Sequence, residues 1–581
     1  MIKYSLECLD KMAKELSYVN IFDIYCSHGN RPCIQYTLDG EIKIITYAQF
    51  ENVVKHVADN LIDKLGDINK GFVAIKVDNA PEWPALFWGV LMAGYKPFLI
   101  DYRHALELTQ FFIDQAKAVA IITTEQLDIQ NTLIIDANDL ILMDKRQILD
   151  LAALPIPTDS TPGDRIRKYS WGDEIALCTS GTTSTAKIFT YNGEAMSNQV
   201  LSARQVIIEN EIICSDSPKR NLAFLPLHHI FGFMANYFWY SFFATSMVFP
   251  ANKAPSSLLA ACKEHKVTHI LAVPLLVNNI VNGLQRKLSK EKKFKRFMFN
   301  AMLKTSLLCQ RINPVWGTKV AKKLFKKSVL SNLAGDSIEI IISGGGHLLP
   351  ETLKVISGIG YYTICGFGMT ETGISSMERN KSLKKRLASR VGAPVSCIEY
   401  RIVPMDPSNP DVGELQIRGK SLHSGVVKNG QILSTALNSE GWFETGDIGR
   451  LEDGALYIEG RLKEVIVNES GENVYPDELE DYFTELEGVT QFTVLGISKG
   501  GGNKYEDITL VMQSSKDVSD KEYLARLLGQ VKERNNRLPV FKKLSRILVT
   551  NDSLPLANGI KIKRAEIKKQ IEAGQGNYVD L

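Results

Sequence analysis

Short apolar runs alternate with longer amphipathic segments in the first 125 residues of the chain. Leu6, Leu9, Met12 and Leu16 recur at helical spacing near the start, which predicts an opening amphipathic helix. The same patterning predicts strands at 72–77, 97–100 and 118–123 and helices at 48–65, 81–94 and 105–115. Strands that alternate with helices are typical of βαβ units, so we predict an α/β fold with a parallel sheet.

The pattern changes towards the C-terminus. Residues 338–342 form one more apolar strand, whereas 390–460 alternate short strands with Gly and Asp turns, which predicts a small β-barrel-like subdomain. After that, residues 464–581 have the pattern of a separate small α+β domain. We therefore predict a large N-terminal domain over 1–460, with mixed or parallel sheets flanked by helices, and a small C-terminal domain.

Length and composition narrow the class of protein. A chain of 581 residues exceeds a single core, and 45% hydrophobic with 23% charged residues is ordinary for a globular protein. The net charge of +3 does not favour nucleic acid as a partner. Nine scattered cysteines without C-x-x-C spacing indicate reduced thiols and a cytoplasmic location. The N-terminus lacks a signal pattern, and the apolar runs near 85–100 and 237–250 are too short to span a membrane, so we expect both to be core.

Residues 286–327 depart from this even charge balance. They contain fourteen Lys and Arg residues against one acid, Glu291, with Phe294, Phe297 and Met298 interleaved. The pattern predicts two or three basic amphipathic helices. A solvated helical face is the simpler interpretation, and adhesion to an anionic membrane is the functional one. Nucleic acid is a third, but no base-stacking module accompanies the segment.

A hydroxyl-rich stretch between two strand-like segments carries the first chemical signal. Residues 179–187 read T-S-G-T-T-S-T-A-K, and such a loop can surround a phosphate chain with hydroxyl and backbone N–H donors while the lysine adds charge. It lacks the G-x-x-x-x-G-K-[ST] pattern of a Walker A loop. A solvated Ser/Thr turn is the alternative that the stretch alone leaves open.

The stretch resembles the signature loop of the adenylate-forming superfamily, which includes acyl-CoA synthetases, luciferases and peptide-synthetase adenylation domains. The superfamily pattern is T-S-G-T-T-G-x-P-K, and this chain departs from it at Ser184 and Ala186. At least four further motifs follow in the family order, so the resemblance covers nearly the whole chain. A long helical segment before a Ser-Gly-Gly strand end, here 286–327, resembles long-chain members more than short-chain ones.

The resemblance implies the residues of an active site. His229, from Pro226-x-x-His229-x-x-Gly232, would line the acyl pocket, with His228 a weaker candidate. Phe367 would stack on adenine, Thr370 would contact the α-phosphate, and Glu371 would hold Mg²⁺. The residues implied to bind ATP or AMP are Thr179, Ser180, Gly181, Thr182, Thr183, Lys187, Gly344, Gly345, Gly346, Gly366, Phe367, Gly368, Asp447 and Arg461.

The C-terminal part of the resemblance implies movement. Residues 461–463 match the family hinge, with Lys463 as the pivot of a mobile domain, and Asp447 and Arg461 would bind ribose hydroxyls. Counting from Leu554-Pro555 places the family's catalytic lysine at Lys561. Ile560 then replaces a family glycine, so the backbone of this loop must differ from that of its relatives.

The resemblance also implies a two-step reaction. A carboxylate attacks the α-phosphorus of ATP, and a thiol then displaces AMP from the acyl-adenylate. We expect ATP, Mg²⁺ and coenzyme A as cofactors and co-substrates, and a medium- or long-chain fatty acid as the acid. The alternatives are a ligase that loads an acyl or aryl group onto a carrier protein acting in trans, and a catalytically weak nucleotide-binding relative. We expect no nucleic-acid partner.

Overall fold

The structure is a computed structural model that divides into two compact units. It describes residues 2–66, 70–141, 145–155, 162–179, 186–213, 218–405, 407, 409–467, 473–484, 486–498, 505–557 and 561–581. Unit 1 comprises Met1–Glu399 and Ile417–Gly441, and unit 2 comprises Tyr400–Gln416 and Trp442–Leu581. The domain boundaries inferred from the sequence stay a prediction, and the expected hinge at 461–463 lies within unit 2.

The helices alternate with strands through most of unit 1. In chain order they are α1 Ile2–Met12, α2 Tyr18–Cys26, α3 Tyr47–Leu65, α4 Trp83–Met92, α5 Leu106–Ala116, α6 Ala137–Leu140, α7 Lys145–Ala152, α8 Pro162–Arg167, α9 Gly193–Leu201, α10 Ala203–Glu209, α11 Trp239–Ser241, α12 Pro255–Glu264, α13 Pro274–Ser289, α14 Lys293–Ile312, α15 Pro314–Phe325, α16 Pro350–Gly358, α17 Leu383–Arg386, α18 Pro476–Glu480, α19 Lys521–Asn535 and α20 Arg564–Glu572. A π-helix, Phe231–Phe238, leads directly into α11.

The strands are β1 Pro32–Leu38, β2 Glu41–Thr46, β3 Phe72–Lys76, β4 Lys96–Leu99, β5 Ala120–Thr123, β6 Leu133–Asp136, β7 Glu174–Cys178, β8 Ile188–Asn192, β9 Arg220–Leu222, β10 Ser246–Phe249, β11 His269–Ala272, β12 Ile340–Ser343, β13 Tyr362–Met369, β14 Gly373–Met377, β15 Ala393–Pro394, β16 Ile398–Pro404, β17 Val412–Gly419, β18 Gly425–Lys428, β19 Gln431–Ser434, β20 Phe443–Glu452, β21 Ala455–Arg461, β22 Ile466–Val467, β23 Asn473–Val474, β24 Val489–Ser498, β25 Glu506–Ser514, β26 Arg546–Thr550, β27 Leu556–Ala557, β28 Lys561–Ile562 and β29 Val579–Asp580.

Two large mixed sheets form unit 1. One has the order β19-β18-β8-β7-β4-β3-β5-β6 and is parallel from β7 to β6. The other has the order β15-β14-β13-β12-β11-β9-β10-β1-β2 and is parallel from β13 to β1. These sheets and the helices packed on them confirm the predicted α/β class with mixed and parallel sheets.

Local sequence explains the helices that pack on these sheets. Thr46 and Gln49 form a capping box that begins α3 one residue before the predicted start. Helix α4, in the apolar run near 85–100, is buried along its whole length, as expected for core. Nowhere in the described ranges is a helix both long and apolar enough to cross a bilayer.

The strands of residues 390–460 divide among three sheets, and the first of them, β15, is the edge of the nine-stranded sheet of unit 1. Strands β18 and β19 extend a sheet of unit 1 by pairing next to β8. Strands β16, β17, β20 and β21 form a four-stranded sheet of their own. Beyond them, unit 2 has a sheet of order β24-β25-β26-β29, with α19 and its neighbours around a separate core. This second part has the α+β composition that the sequence predicted.

Helices α13, α14 and α15 contain the basic segment 286–327. Helix α14 is fixed to α16 by two hydrogen bonds, from Ser306 Oγ to the Gly358 carbonyl (2.6 Å) and from Gln310 Nε2 to the Ser357 carbonyl (2.9 Å). Helix α15 returns along α14 at very short range, because a Cβ on Gly317 would lie 2.3 Å from the backbone nitrogen of Gln310. The segment that the sequence predicts as two or three amphipathic helices therefore lies in three helices of unit 1, and α14 and α15 pack closely on their neighbours.

We predict that Gly317→Ala lowers the free energy of unfolding by about 1–3 kcal/mol, because the new methyl group meets backbone atoms that cannot move aside. The control is Gly283→Ala in α13, where nothing lies within 4 Å of the added Cβ. That control should be neutral or stabilising by about 0.5–1 kcal/mol, the usual helix preference for Ala. Urea unfolding of both variants provides the measurement, and equal effects would contradict the close α14–α15 approach.

Candidate active site

The hydroxyl-rich stretch lies at the end of a hairpin between β7 and β8. Two hydrogen bonds join the ends of the stretch: the Thr179 N–H donates to the Lys187 carbonyl (3.0 Å), and the Lys187 N–H donates to Thr179 Oγ1 (3.1 Å). The predicted residues Ser180, Gly181, Thr182 and Thr183 lie outside the described residues. The structure therefore places the two ends of the predicted phosphate loop, both in unit 1.

Strand β8, which follows this loop, contacts the residue before the predicted magnesium residue, Glu371. The hydroxyl of Tyr191, on β8, donates to the Thr370 carbonyl at 2.7 Å. Burial raises the pKa of Tyr191 well above its ordinary value, and the charge of Glu371 raises it further. The strand that follows the hydroxyl loop thus holds the Thr370-Glu371 pair in place.

His423 is a site residue that the sequence analysis missed. Its ring Nδ1 lies 2.7 Å from the Glu371 carbonyl oxygen, which also accepts from the His423 backbone N–H at 3.1 Å. Since a carbonyl only accepts, Nδ1 carries a proton. Burial lowers the pKa of His423, the Glu371 carbonyl opposes that shift, and the charge of Lys187 adds to it. His423 therefore contacts the backbone of the predicted magnesium residue and lies within electrostatic range of the predicted phosphate lysine. A lone histidine 52 residues away gives no sequence signal for this contact.

Close backbone packing explains the glycines around Phe367. A Cβ on Gly368 would lie 2.2 Å from the Gly373 carbonyl oxygen across the β13–β14 hairpin, and Gly373 itself has φ +67°. Gln199 binds both sides of the turn, donating to the Thr372 carbonyl (3.0 Å) and accepting from the Ile374 N–H (3.1 Å). The turn that carries Thr370 and Glu371 is therefore held by backbone geometry and by one buried amide.

The three predicted glycines after β12 lie beside this hairpin. Strands β11, β12 and β13 are in parallel register, with Ala272, Ser343 and Cys365 in one row. The chain positions directly after this row are Val273, Gly344 and Gly366. A Cβ on Gly344 would lie 3.0 Å from the ring of Phe231, so the loop that carries His229 packs tightly against these glycines.

His229 lies in the tight loop before the π-helix. A Cβ on Gly232 would meet the Pro226 carbonyl oxygen at 2.1 Å, so the Pro-x-x-His-x-x-Gly spacing closes a turn that requires glycine. The Phe231 N–H donates to His229 Nδ1 at 3.3 Å, so the neutral ring carries its proton on Nε2. Desolvation lowers the pKa of His229 to about 4, with the His228 charge contributing. The ring is therefore a neutral N–H donor near pH 7.

His228 has a different role from its neighbour. It is buried, and its Nε2 lies 3.3 Å from Asp101 Oδ2, which also accepts from Arg103 at 2.7 Å. Burial alone would raise the pKa of Asp101, but the neighbouring His228 and the hydrogen-bonded Arg103 lower it well below its ordinary range. The cluster ties the His229 loop to the end of β4, so His228 is a structural anchor. Sequence reasoning missed Asp101 and Arg103 because they lie more than 120 residues away.

Unit 2 carries the remaining predicted residues. Asp447 on β20 and Arg461 on β21 are direct cross-strand partners, and Arg461 Nε lies 3.0 Å from Asp447 Oδ1. Asp447 is buried, whereas Arg461 is exposed. The two residues predicted to bind ribose are therefore adjacent, with the carboxylate oriented by the guanidinium. Lys463 is exposed on the short turn after β21.

Lys561 lies on β28, where it pairs with Ala557 of β27. The side chain of Lys561 and the whole of Ile560 lie outside the described part of the structure. Three residues later, Arg564 is nearly buried and forms ion pairs with Glu464, Asp477 and Glu480. Glu464 directly follows the predicted pivot Lys463. Arg564 thus joins the segment after Lys561 to the segment after the expected hinge.

Magnesium is compatible with this donor set. In the described ranges, no group of three or more His, Cys, Asp or Glu side chains is arranged to hold a metal. Mg²⁺ in phosphate-transferring sites takes one or two carboxylates and completes its shell with water and substrate phosphates. A single carboxylate such as Glu371 is consistent with this coordination, since the nucleotide would bring the other ligands.

The family profile of the AMP-binding enzymes matches residues 26–427. The chain belongs to this family, which confirms the adenylate-forming superfamily resemblance. It is 25% identical over 379 residues to the probable acyl-activating enzyme 16 of Arabidopsis thaliana, covering 57% of this chain and 51% of that protein, about half of the relative's length. It is 26% identical over 485 residues to the long-chain-fatty-acid–CoA ligase FadD15 of Mycobacterium tuberculosis, covering 80% and 77%.

Solved structures agree on the fold. The o-succinylbenzoate-CoA synthetase of Bacillus subtilis, in complex with its acyl-adenylate intermediate, superposes with a TM-score of 0.67 at 19% identity, covering 94% of this chain and 97% of that one. Family membership makes this protein an AMP-binding enzyme. The reaction that it catalyses, with its acid and its acceptor, is a matter for a proposal.

We predict that His229 contributes to activity as a neutral donor. The activity ratio of wild type to His229→Asn should stay constant between about pH 6 and pH 8, because a pKa of about 4 leaves the ring unprotonated throughout. The measurement is pyrophosphate release across that range. A ratio that changes with a midpoint near 6.5, the ordinary histidine value, would contradict the desolvated state of the ring.

Proposed function

We propose that this protein activates a medium- or long-chain fatty acid with ATP, forming acyl-AMP and pyrophosphate, and then transfers the acyl group to the thiol of coenzyme A. The observation that carries the choice of acid is an apolar cavity of about 860 Å³ in unit 1. That volume is near the upper end of small-molecule pockets. An acetate or amino-acid substrate would leave most of it empty.

The cavity is bordered by α12, α13 and α14. Helix α13 contributes Leu276, Ile280, Gly283, Leu284 and Leu288 to its wall. These positions extend about 18 Å along the helix at 1.5 Å per residue. The wall is mainly aliphatic, so burial of each methylene of a chain would contribute about 0.8 kcal/mol.

Helix α13, which forms one wall of this cavity, begins next to the glycine turn after β12. Pro274, the first residue of α13, lies 3.5 Å from a Cβ position on Gly346, and Val273 lies 4.0 Å from that of Gly345. A chain along α13 would therefore have its carboxylate end towards the turn where the family resemblance expects the acyl-adenylate. Helix α13 begins at this turn and continues into the cavity wall, and this continuity supports assigning the cavity to the acid.

The proposed chemistry requires neutralisation of charge at phosphorus. The attacking carboxylate and the triphosphate repel one another, and Mg²⁺ on Glu371 with Lys187 and Lys561 would offset that repulsion in the transition state. The carboxylate oxygen forms the new bond to the α-phosphorus as the bond to pyrophosphate breaks. Asp447 and Arg461 would bind the ribose, and Phe367 the adenine. Thr370 would contact the α-phosphate.

The second step requires a thiol in place of pyrophosphate. We propose that the small domain turns about 461–463, with Lys463 as pivot, so that a different surface faces the acyl-adenylate. Coenzyme A is favoured because relatives such as FadD15 carry that acceptor in their names. A carrier protein is the second candidate, since a further relative is named a long-chain-fatty-acid–[acyl-carrier-protein] ligase.

A panel of acids and acceptors tests the proposal. Pyrophosphate release should need ATP, Mg²⁺ and a fatty acid, and should be weak with acetate, benzoate and amino acids. Thioester formation with coenzyme A but not with a holo-carrier protein would support the acceptor. No release with any acid would favour the weak-relative hypothesis that Ser184, Ala186 and Ile560 raise. A cytoplasmic location, with peripheral contact of 286–327 with anionic membrane, belongs to the same proposal.

We predict that Gly283→Leu shifts the preferred fatty acid to a shorter chain, by roughly the three or four carbons whose volume the new side chain occupies. Gly283 lines the cavity and an added Cβ meets nothing within 4 Å, so the fold tolerates the change. The control is Gly529→Leu in α19 of unit 2, equally open around its Cβ but away from the cavity. Specificity for acids of increasing length is the readout, and the same profile in both variants would refute the cavity assignment.

We predict that Lys561→Ala slows acyl-adenylate formation by several orders of magnitude while sparing thioester formation from preformed acyl-adenylate, because a charge contact made only in the first transition state is lost. Lys563→Ala is the control, since this lysine is exposed and pairs with Glu566 at 3.2 Å. Single-turnover measurement of each half-reaction separates the two. Loss of adenylation in Lys563→Ala alone would show that the lysine register is wrong.

A further inference from the structure

Helix α14 has a second apolar face, directed away from the core. Phe294, Phe297, Leu308 and Ile312 are 70, 71, 58 and 75% exposed. At 100° per residue these positions, with exposed Ala301 between them, fall within one stripe of the helix. The stripe runs about 27 Å along the helix. A contiguous exposed apolar stripe of this kind indicates an interaction surface.

The inward face shows that this stripe is not misplaced core. Ser306 and Gln310 are buried and hydrogen-bonded to α16, and a Cβ on Gly358 would lie 2.4 Å from Leu303. Rotating the helix to bury Phe294 and Phe297 would break these contacts. The structure therefore fixes the stripe outward.

Positive charge surrounds the stripe. Lys293, Lys304 and Arg311 lie along one side of it, and Lys295 lies on the other. The segment 286–327 holds fourteen basic residues and one acid, so the rest of the chain, despite a net charge of +3 overall, carries more acidic than basic residues. The basic charge of the molecule is thus concentrated where the apolar side chains are exposed.

The mouth of the apolar cavity lies at the same end of α14. Lys287, Glu291, Lys295 and Met298 line the cavity and are also exposed, so they form its opening. Glu291, just before α14, pairs with Lys295 in the first turn of the helix at 2.9 Å. Phe294 and Phe297 lie within the same two turns of helix. The opening and the exposed stripe are therefore neighbours on one surface.

We propose that the outer face of α14 binds an anionic lipid bilayer, with Phe294, Phe297, Leu308 and Ile312 inserted among the headgroups, so that the cavity mouth takes up its fatty acid from the membrane. The uptake part rests on the proposed function. An apolar stripe with flanking lysines is the pattern of a helix that lies in the membrane interface. A second copy of this chain would bring the same positive charge against itself, and nucleic acid would leave the apolar stripe without a partner.

Vesicle sedimentation tests the binding part without acid, ATP or coenzyme A. The protein should sediment with vesicles of phosphatidylcholine containing phosphatidylserine, and at least tenfold less with phosphatidylcholine alone. Raised salt should weaken the binding, because surface charge is screened. Equal sedimentation with both vesicle types, or none with either, would overturn the proposal, as would pairing of two copies through this face in sedimentation velocity.

Variants distinguish vesicle binding through the stripe from non-specific adsorption of the protein. Phe294→Ser with Phe297→Ser, and separately Lys293→Glu with Lys304→Glu, should each lower vesicle affinity at least tenfold. Ile208→Ser on α10, another exposed apolar side chain, and Lys14→Glu, another exposed lysine, are the matched controls and should change it little. Equal losses in variants and controls would overturn the assignment to α14.

Uptake is tested with acids of different solubility. The Phe294→Ser/Phe297→Ser variant should lose at least tenfold in rate on palmitate supplied in anionic vesicles, yet keep the wild-type rate on dissolved octanoate. Unchanged rates on both would overturn uptake from the membrane. Sedimentation without any pyrophosphate release would refute the proposed function and leave the docking surface standing, whereas release without sedimentation would do the reverse.

Discussion

The parallel register of β11, β12 and β13 is the constraint on which the candidate site in unit 1 depends. Ala272, Ser343 and Cys365 are in register, and parallel strands end at the same edge of a sheet. The chain segments that follow these three residues therefore lie side by side. The backbone packing there admits no side chain at Gly368, and a Cβ on Gly344 would press on the Phe231 ring at 3.0 Å. Hydrogen bonds from Gln199 and Tyr191 then fix the turn that bears Thr370 and Glu371. The chemistry proposed for these residues requires this prior fixation, since carboxylate and phosphate must be aligned against their mutual repulsion.

Much of this arrangement follows from local sequence. The βαβ alternation predicts the sheets, and a run such as Gly366-Phe367-Gly368 is visible as a motif before its geometry is known. The contacts that hold the motifs are not visible, because they join residues far apart in the chain. His423 on Glu371 and Asp101 on His228 are each a single charged or polar residue with no pattern around it. The same holds for strand pairing within 390–460, where β18 and β19 join the sheet of β8. Pairing partners are a long-range choice that turn residues do not encode.

Helix α14 shows the same limit in another form. Its sequence has apolar residues on two faces, and helical periodicity alone does not say which face meets the core. Small and polar residues decide it: Ser306 and Gln310 reach the carbonyls of α16, and Gly317 lets α15 approach. Phe294 and Phe297, which an average burial preference would place inside, remain outside. The basic segment is therefore more than a solvated helical face, since it borders the cavity proposed for the acid.

Oxygen transfer from the acid to the nucleotide tests the central claim most directly. If the carboxylate attacks the α-phosphorus, the bridging oxygen of the acyl-adenylate comes from the acid and leaves with AMP when a thiol attacks the carbonyl carbon. With palmitate labelled by oxygen-18 in its carboxylate, mass spectrometry of the released AMP should find one labelled oxygen per molecule, and only when ATP, Mg²⁺ and a thiol acceptor are present. AMP without the label, or label found in no nucleotide while thioester forms, would contradict the account.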